Sequence, residues 1–306
     1  MKPLLLTLLA VSCATAEGEK RDPIKKPEPS FGLLSKADAY GIWATSLMDQ
    51  NGWIPFSCDG VGFNSLYYAI YGGDEPLLAL DEEGRLWRHW KKDCLATKKS
   101  KSTISADMVV MWLVYVLEQN KLPELEKFIS KSEKTGWKIG DHDGSVEGLS
   151  RIHLVKYPQV ISLLYKVRKH LGGKGHKYWE KVPQDWSAKK SYPGHILAWR
   201  AWIVAKVQGK MPNAAINALK KQVEYNPKNA LYLAMISRYD ANYSCPEAIL
   251  LLESLFPSDR LPTNQDRCSD YLWQRDLGPD YEPCGGHKAH TGLDLIVATA
   301  ICEGRI

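Results

Sequence analysis

The densest run of chemically capable side chains is Asp141-His142-Asp143-Gly144-Ser145-Val146-Glu147-Gly148-Leu149-Ser150-Arg151. Two aspartates, a histidine and a glutamate stand on a turn entering a helix. If the helix starts at Ser145, Glu147 and Arg151 fall one turn apart on one face. A pair of carboxyl groups acting as general acid and base is what glycosidic cleavage needs. The same residues also make a plain turn, with Asp143 accepting backbone N–H bonds, Gly144 taking a positive φ and Glu147–Arg151 forming an ion pair. The ligand order of a calcium loop is missing.

A second Asp-Gly pair, Asp59-Gly60, lies between Trp53-Ile54-Pro55-Phe56 and Phe63-Asn64-Ser65-Leu66-Tyr67-Tyr68. It has the same form, a turn and then a Tyr-rich helix, and the same structural alternative. Gly194-His195 leads into Trp199, Arg200 and Trp202. His195, Trp199 and Trp202 share a helical face, which is either a histidine beside stacking indoles or a core stripe with a satisfied histidine. In Cys284-Gly285-Gly286-His287-Lys288-Ala289-His290, the spacing of His287, His290 and Asp294 would permit zinc. Cysteine pairing claims Cys284, however, so His290–Asp294 reads better as an i, i+4 orienting pair, and no metal is expected.

Helical periodicity supplies the elements that must position these groups. Ser35 caps a helix through Ile42 and Trp43 towards Met48. Ser105 caps another, with Met108, Met111, Trp112, Tyr115 and Val116 as its apolar stripe. Further helices are expected from Pro123 through Ile129, over Tyr157 to Leu171, after Pro193-Gly194 through Val207, and from Pro212 to Asn226-Pro227. Ala230 to Tyr239, Pro246 to Leu255 and His290 to Cys302 complete about ten. Alternating β patterns are scarce, so the fold class is all-α, and no linker divides residues 35–306, which form one domain.

The amino end sets the compartment. Lys2 and the apolar run Leu4 to Val11 form a short export leader, too short to span a bilayer. Leu9-Ala10-Val11-Ser12-Cys13 resembles a bacterial lipobox, with Cys13 as lipid acceptor and residues 1–12 removed; Ala14-Thr15-Ala16 offers the alternative of cleavage after residue 16. Residues 13–34, charged and Pro-containing, read as a flexible tether. Six cysteines remain: Cys58, Cys94, Cys245, Cys268, Cys284 and Cys302. In an oxidising compartment they suggest three bridges, and chain order favours Cys58–Cys94, Cys245–Cys268 and Cys284–Cys302. Free buried thiols are the alternative.

Composition excludes little. The chain has 306 residues and a formal charge of +5, too modest to demand nucleic acid. Lysines cluster at Lys91-Lys92, at Lys98, Lys99 and Lys101, and from Lys166 to Lys190. They form solvated faces or draw the protein to anionic polymers or headgroups. Eleven tryptophans and 15 tyrosines against 5 phenylalanines suit either sugar stacking at a wet surface or packing between helices. Phosphate loops, G-x-S-x-G and H-E-x-x-H are missing, so no cofactor is expected.

In helix count, turn style and aromatic usage, residues 35–303 resemble the six-hairpin α/α toroids of many bacterial glycoside hydrolases and polysaccharide lyases. None of those families' catalytic motifs is carried. The resemblance implies an α/α toroid, or else a helical-hairpin superhelix, in which turns before inner helices gather at one mouth and bring Asp59 and Asp143 across a cleft. Two functions follow. One is a monomeric envelope enzyme, hydrolase or lyase, with Asp59, Asp143 and Glu147 as acid and base and with His195, Trp199, Arg200, Arg151, His290 and Asp294 binding the glycan. The other is a non-catalytic surface lipoprotein that binds a glycan or protein partner through the same mouth.

Overall fold

The structure is a computed structural model, and it describes residues 33–46, 48–54, 60–92, 103–140, 152–187, 192–225, 227, 229–255 and 293–306. Among these residues the helices are α1 (Leu33–Ser46), α2 (Gly60–Tyr71), α3 (Ala106–Glu118), α4 (Leu122–Lys134), α5 (Pro158–His170), α6 (Tyr192–Gln208), α7 (Asn213–Tyr225), α8 (Ala230–Ser237), α9 (Cys245–Leu255) and α10 (Leu293–Glu303). The named strands are two residues each, β1 (Lys138–Ile139) and β2 (Ile152–His153), paired antiparallel. The all-α class therefore holds.

Local chemistry explains the boundaries. Ser105 takes the extended backbone of an N-cap before α3. Asn229 caps α8, its side chain accepting the Leu231 N–H at 3.1 Å. Pro158 stands in the first turn of α5, where its missing N–H costs nothing. For the same reason α6 takes in Pro193 and Gly194, which the sequence places ahead of it. Helix α4 ends on Gly136 and Trp137, both left-handed (φ 62 and 63). That conformation is costly for a bulky residue. The buried Trp137 ring offsets it by meeting Tyr165 and Trp179 edge-on, at centroid distances of 5.9 and 6.1 Å.

The helices are of two kinds. α3 buries every residue from Ala106 to Leu117, and α2 buries Gly60 to Ala69. α4, α5 and α7 carry an apolar stripe and a charged face. A helix that is apolar all round must lie inside. Neighbour relations agree: α2, α3, α5, α6, α8 and α10 touch in that order, and α10 returns to α2. Contacts join like ends. Gln119 Nε2 donates to the Ala69 carbonyl (3.0 Å) and Tyr115 to the Gly73 carbonyl (2.7 Å), tying α3 to α2. Glu118–Lys206 (3.2 Å) ties α3 to α6, Trp202–Tyr239 ties α6 to the end of α8, Arg238 lies beside Gly304 after α10, and Arg305 covers the Tyr71 ring of α2. α2, α3, α6, α8 and α10 thus run the same way, with α5 against both α3 and α6, and their contacts close into a circuit. α4 runs back between α3 and α5, α7 between α6 and α8, and α9 along α8 and α10, while α1 lies on α10.

The buried side chains form one core, in which Trp53, Trp112, Trp199 and Trp202 are fully enclosed. For these four rings packing between helices, rather than a wet surface, is the outcome. Among the described residues no helix is long and apolar enough to cross a membrane.

The cysteine pairing needs a correction. Cys245, at the start of α9, is bonded to Cys302, at the end of α10, with Cα atoms 5.5 Å apart. This replaces both Cys245–Cys268 and Cys284–Cys302. Order along the chain misleads here because α9 and α10 are antiparallel neighbours, so the start of one meets the end of the other. Cys13, Cys58, Cys94, Cys268 and Cys284 lie outside the described residues.

Candidate functional site

One return of the chain builds the site. Residues 72–92 leave the end of α2 without forming an α-helix. Gly72 and Gly73 turn the chain (φ 75 and 129), and a 3-10 turn over Glu75–Ala79 leads to an antiparallel bridge between Leu80 and Leu86. Asp81 closes the turn between the bridged residues. It accepts the backbone N–H groups of Glu83 (3.0 Å) and Arg85 (2.8 Å), Nε of Arg85 (2.7 Å) and the Trp87 indole N–H (3.0 Å). Burial raises the Asp81 pKa, but these donors outweigh it and hold the carboxyl below its ordinary range.

The return delivers Arg88, His89 and Trp90 to the beginnings of α2 and α3. The Arg88 carbonyl accepts the Val61 N–H (2.8 Å), and its own N–H donates to the Thr103 carbonyl (2.8 Å). The Arg88 side chain is 5% exposed and reaches Met108 Sδ at 3.7 Å. Asp107, in the first turn of α3, is equally buried, and both charges are engaged by neighbours. His89 meets Trp53 edge-on (5.3 Å) and stacks on Trp90 (5.9 Å). Its Nδ1 accepts the Lys91 N–H at 3.2 Å, which puts the proton of the neutral ring on Nε2. Trp53 is 1% exposed, and its indole N–H has no partner. Asp49 fixes the surroundings by accepting from the Trp53 backbone (3.1 Å) and from the Trp90 indole (3.2 Å).

Asn64, fully buried in α2, holds both flanks of residues 55–59. Its Oδ1 accepts the Ile54 N–H (3.0 Å), and its Nδ2 donates to the carbonyls of Ile54 (3.1 Å) and Gly60 (2.9 Å). Across the corner Gly140 lies so close to Thr103 that a Cβ there would stand 2.5 Å from the Thr103 hydroxyl. Gly60, Arg88, Thr103 and Gly140 therefore form one continuous corner.

This placement bears on the expected site residues unevenly. Asp59, Asp143, Glu147, Arg151 and His290 lie outside the described residues, yet Gly60 directly follows Asp59 and Gly140 precedes Asp141, so described neighbours of both acidic turns share the corner. Asp294 is in the first turn of α10. His195 is buried at the start of α6, edge-on to Trp199, and Trp199 is wholly interior. Arg200 is half-buried on α6, where its Nε donates to Gln184 (3.0 Å) and its Nη2 to the Asp185 carbonyl (2.9 Å), while the guanidinium covers Trp186. Burial lowers its pKa to about 10 against the opposing charge of Asp185. No family model, curated protein or solved structure matches this chain.

Its chemistry is therefore read from the residues themselves. A buried guanidinium and the amino ends of two parallel helices favour negative charge, and the His89 imidazole can move a proton. Sequence reasoning missed Arg88, His89, Thr103 and Asp107. The visible signal was the interleaving of cations and rings in Arg85-Leu86-Trp87-Arg88-His89-Trp90. Among the described residues no group of His, Cys, Asp and Glu is arranged to hold a metal ion.

Proposed function

We propose that the protein is an exported, lipid-anchored envelope protein whose circuit of parallel helices is an α/α toroid and whose corner at Arg88 acts on a glycan. The observation that carries this reading is the convergence of Gly60, Arg88, His89, Thr103 and Gly140, which joins the flanks of two acidic turns to a buried cation and a histidine between indoles. In this reading Asp59, Asp143 and Glu147 supply acid and base. Arg88 recognises a carboxylate-bearing sugar or charge that develops in the transition state, where a preorganised donor contributes most. Trp90, half-buried on His89, offers a stacking face. Lipidation of the Cys13 thiol, hydrolytic removal of the leader 1–12 by a signal peptidase, and residues 13–34 as tether complete the proposal.

The test is incubation of the purified protein with peptidoglycan and with neutral and acidic polysaccharides, followed by analysis of released ends. Release of product is expected, with kcat/KM falling at least about 100-fold in Arg88→Lys and His89→Gln. Asp59→Asn, Asp143→Asn and Glu147→Gln should abolish turnover while the far-UV spectrum is kept. Absence of product from every polymer, or full turnover in the three carboxyl variants, overturns the enzymatic reading. Retention of a polymer without cleavage would leave the corner as a binding site only.

A further inference from the structure

A second run of positive charge lies among residues that do not build that corner. Between residues 166 and 181 stand Lys166, Arg168, Lys169, Lys174, Lys177 and Lys181 against Glu180 alone, six cations minus one anion, which equals the +5 of the entire chain. Two of these cations have internal partners, as Arg168 pairs with Glu126 (2.5 Å) and Lys169 with Glu180 (2.9 Å). Lys174, Lys177 and Lys181 are exposed. Lys169, Gly175, Lys177, Glu180 and Lys181 line an open depression of about 420 Å³ on the outer side of α5.

Apolar side chains are exposed on the same flank. Tyr178 is 65% exposed, Val155 47% and Tyr157 42%, three of the six large hydrophobic residues exposed among the described ones. They belong together because Trp137 links their segments: its carbonyl accepts the Leu154 N–H (2.8 Å) and its ring meets Trp179. Exposed lysines with Tyr178 among them, and Val155 and Tyr157 on a linked segment, match the boundary of an anionic bilayer, where headgroups attract the cations and the rings enter the interface.

We infer that this flank is a docking surface for an anionic phospholipid membrane, built from Lys174, Lys177, Lys181, Tyr178, Val155 and Tyr157. It is carried by residues 154–157 and 174–181, on either side of α5 in the chain, whereas the Arg88 corner is built by residues 49–107 and Gly140, so the two share no residue. The inference does not depend on glycan activity. Docking would add a second, reversible attachment to a lipid anchor.

The experiment is sedimentation of the full chain carrying Cys13→Ala, which excludes lipidation, with vesicles of phosphatidylcholine alone or of phosphatidylcholine with phosphatidylglycerol. Binding to the anionic vesicles only is expected, weakening as salt is raised. Lys174→Glu/Lys177→Glu/Lys181→Glu should reduce it at least about 100-fold, and Tyr178→Ser several-fold, with circular dichroism and Tm as for the parent. Equal sedimentation with both vesicle types, or binding unaltered in the triple variant, overturns the inference. So does retention on dextran sulfate that the triple variant loses when anionic vesicles never bind, since the flank would then serve a soluble polyanion. Glycan cleavage reads a different surface, so failure of either assay leaves the other's result standing.

Discussion

At the residue scale two carboxyl groups of the 72–92 return respond to pH in opposite ways. Asp81 is held ionised by four donors, so its folded pKa is lowered despite burial. Its contribution is present above the unfolded pKa and is lost as pH falls through the folded value. Asp81→Asn should cost about 1–3 kcal/mol at neutral pH, and chemical denaturation should show the cost shrinking as the parent itself is acidified. Glu75 is the reverse case. It lies against Tyr68 and Gly52, one carboxyl oxygen is buried without a hydrogen bond, and burial raises its pKa. The stability linked to it is full below the unfolded pKa and is lost as pH rises through the folded one. Glu75→Gln should therefore raise Tm at neutral pH, by about 1–2 °C because the carboxyl is half in water, and a thermal melt should show the gain vanishing in mild acid. An unchanged Tm would mean that the carboxylate is accommodated at no cost.

At the element scale the return must stay pressed onto α4 if Arg88 and His89 are to reach the corner. Gly84 makes this contact: its φ is +89, and a Cβ there would stand 2.5 Å from the Lys127 carbonyl oxygen. Lys131, one turn further along α4, binds Glu83 at 2.7 Å on the same turn. Gly136 has a similar left-handed backbone but open space around it. Gly84→Ala should thus cost about 2–4 kcal/mol, by clash as well as backbone strain, whereas Gly136→Ala should cost about 1 kcal/mol from the backbone alone. Equal denaturation midpoints for the two variants would rule out the clash. The helices themselves were legible in the sequence, as the stripe Met108, Met111, Trp112, Tyr115 and Val116 shows, although Ser105 stands at the start of α3 without a side-chain capping bond. The return was not, because residues 72–92 have neither helical nor strand periodicity and take their shape from Asp81 and from contact with α2 and α4.

At the scale of the whole molecule the first and last helices touch, since α10 packs on both α1 and α2. Cys245–Cys302 fastens this end of the circuit across a separation of 57 residues. In the chain-entropy account such a loop is worth about 4 kcal/mol. Cys302→Ser, measured beside the reduced parent, should lower stability by that order, and the two should melt alike. A parent indifferent to reductant would show that the circuit holds without the bond. What the sequence by itself determined is local: helix positions follow from apolar spacing over three or four residues, and turns from Asp, Gly and Pro, which act on their own neighbours. What only the tertiary structure decided is which distant residues meet: Arg88 with Val61 and Thr103, Gly140 with Thr103, Cys245 with Cys302. These meetings depend on which helix faces which, and that is settled by burying apolar area over the whole core at once, a quantity no short stretch of chain contains.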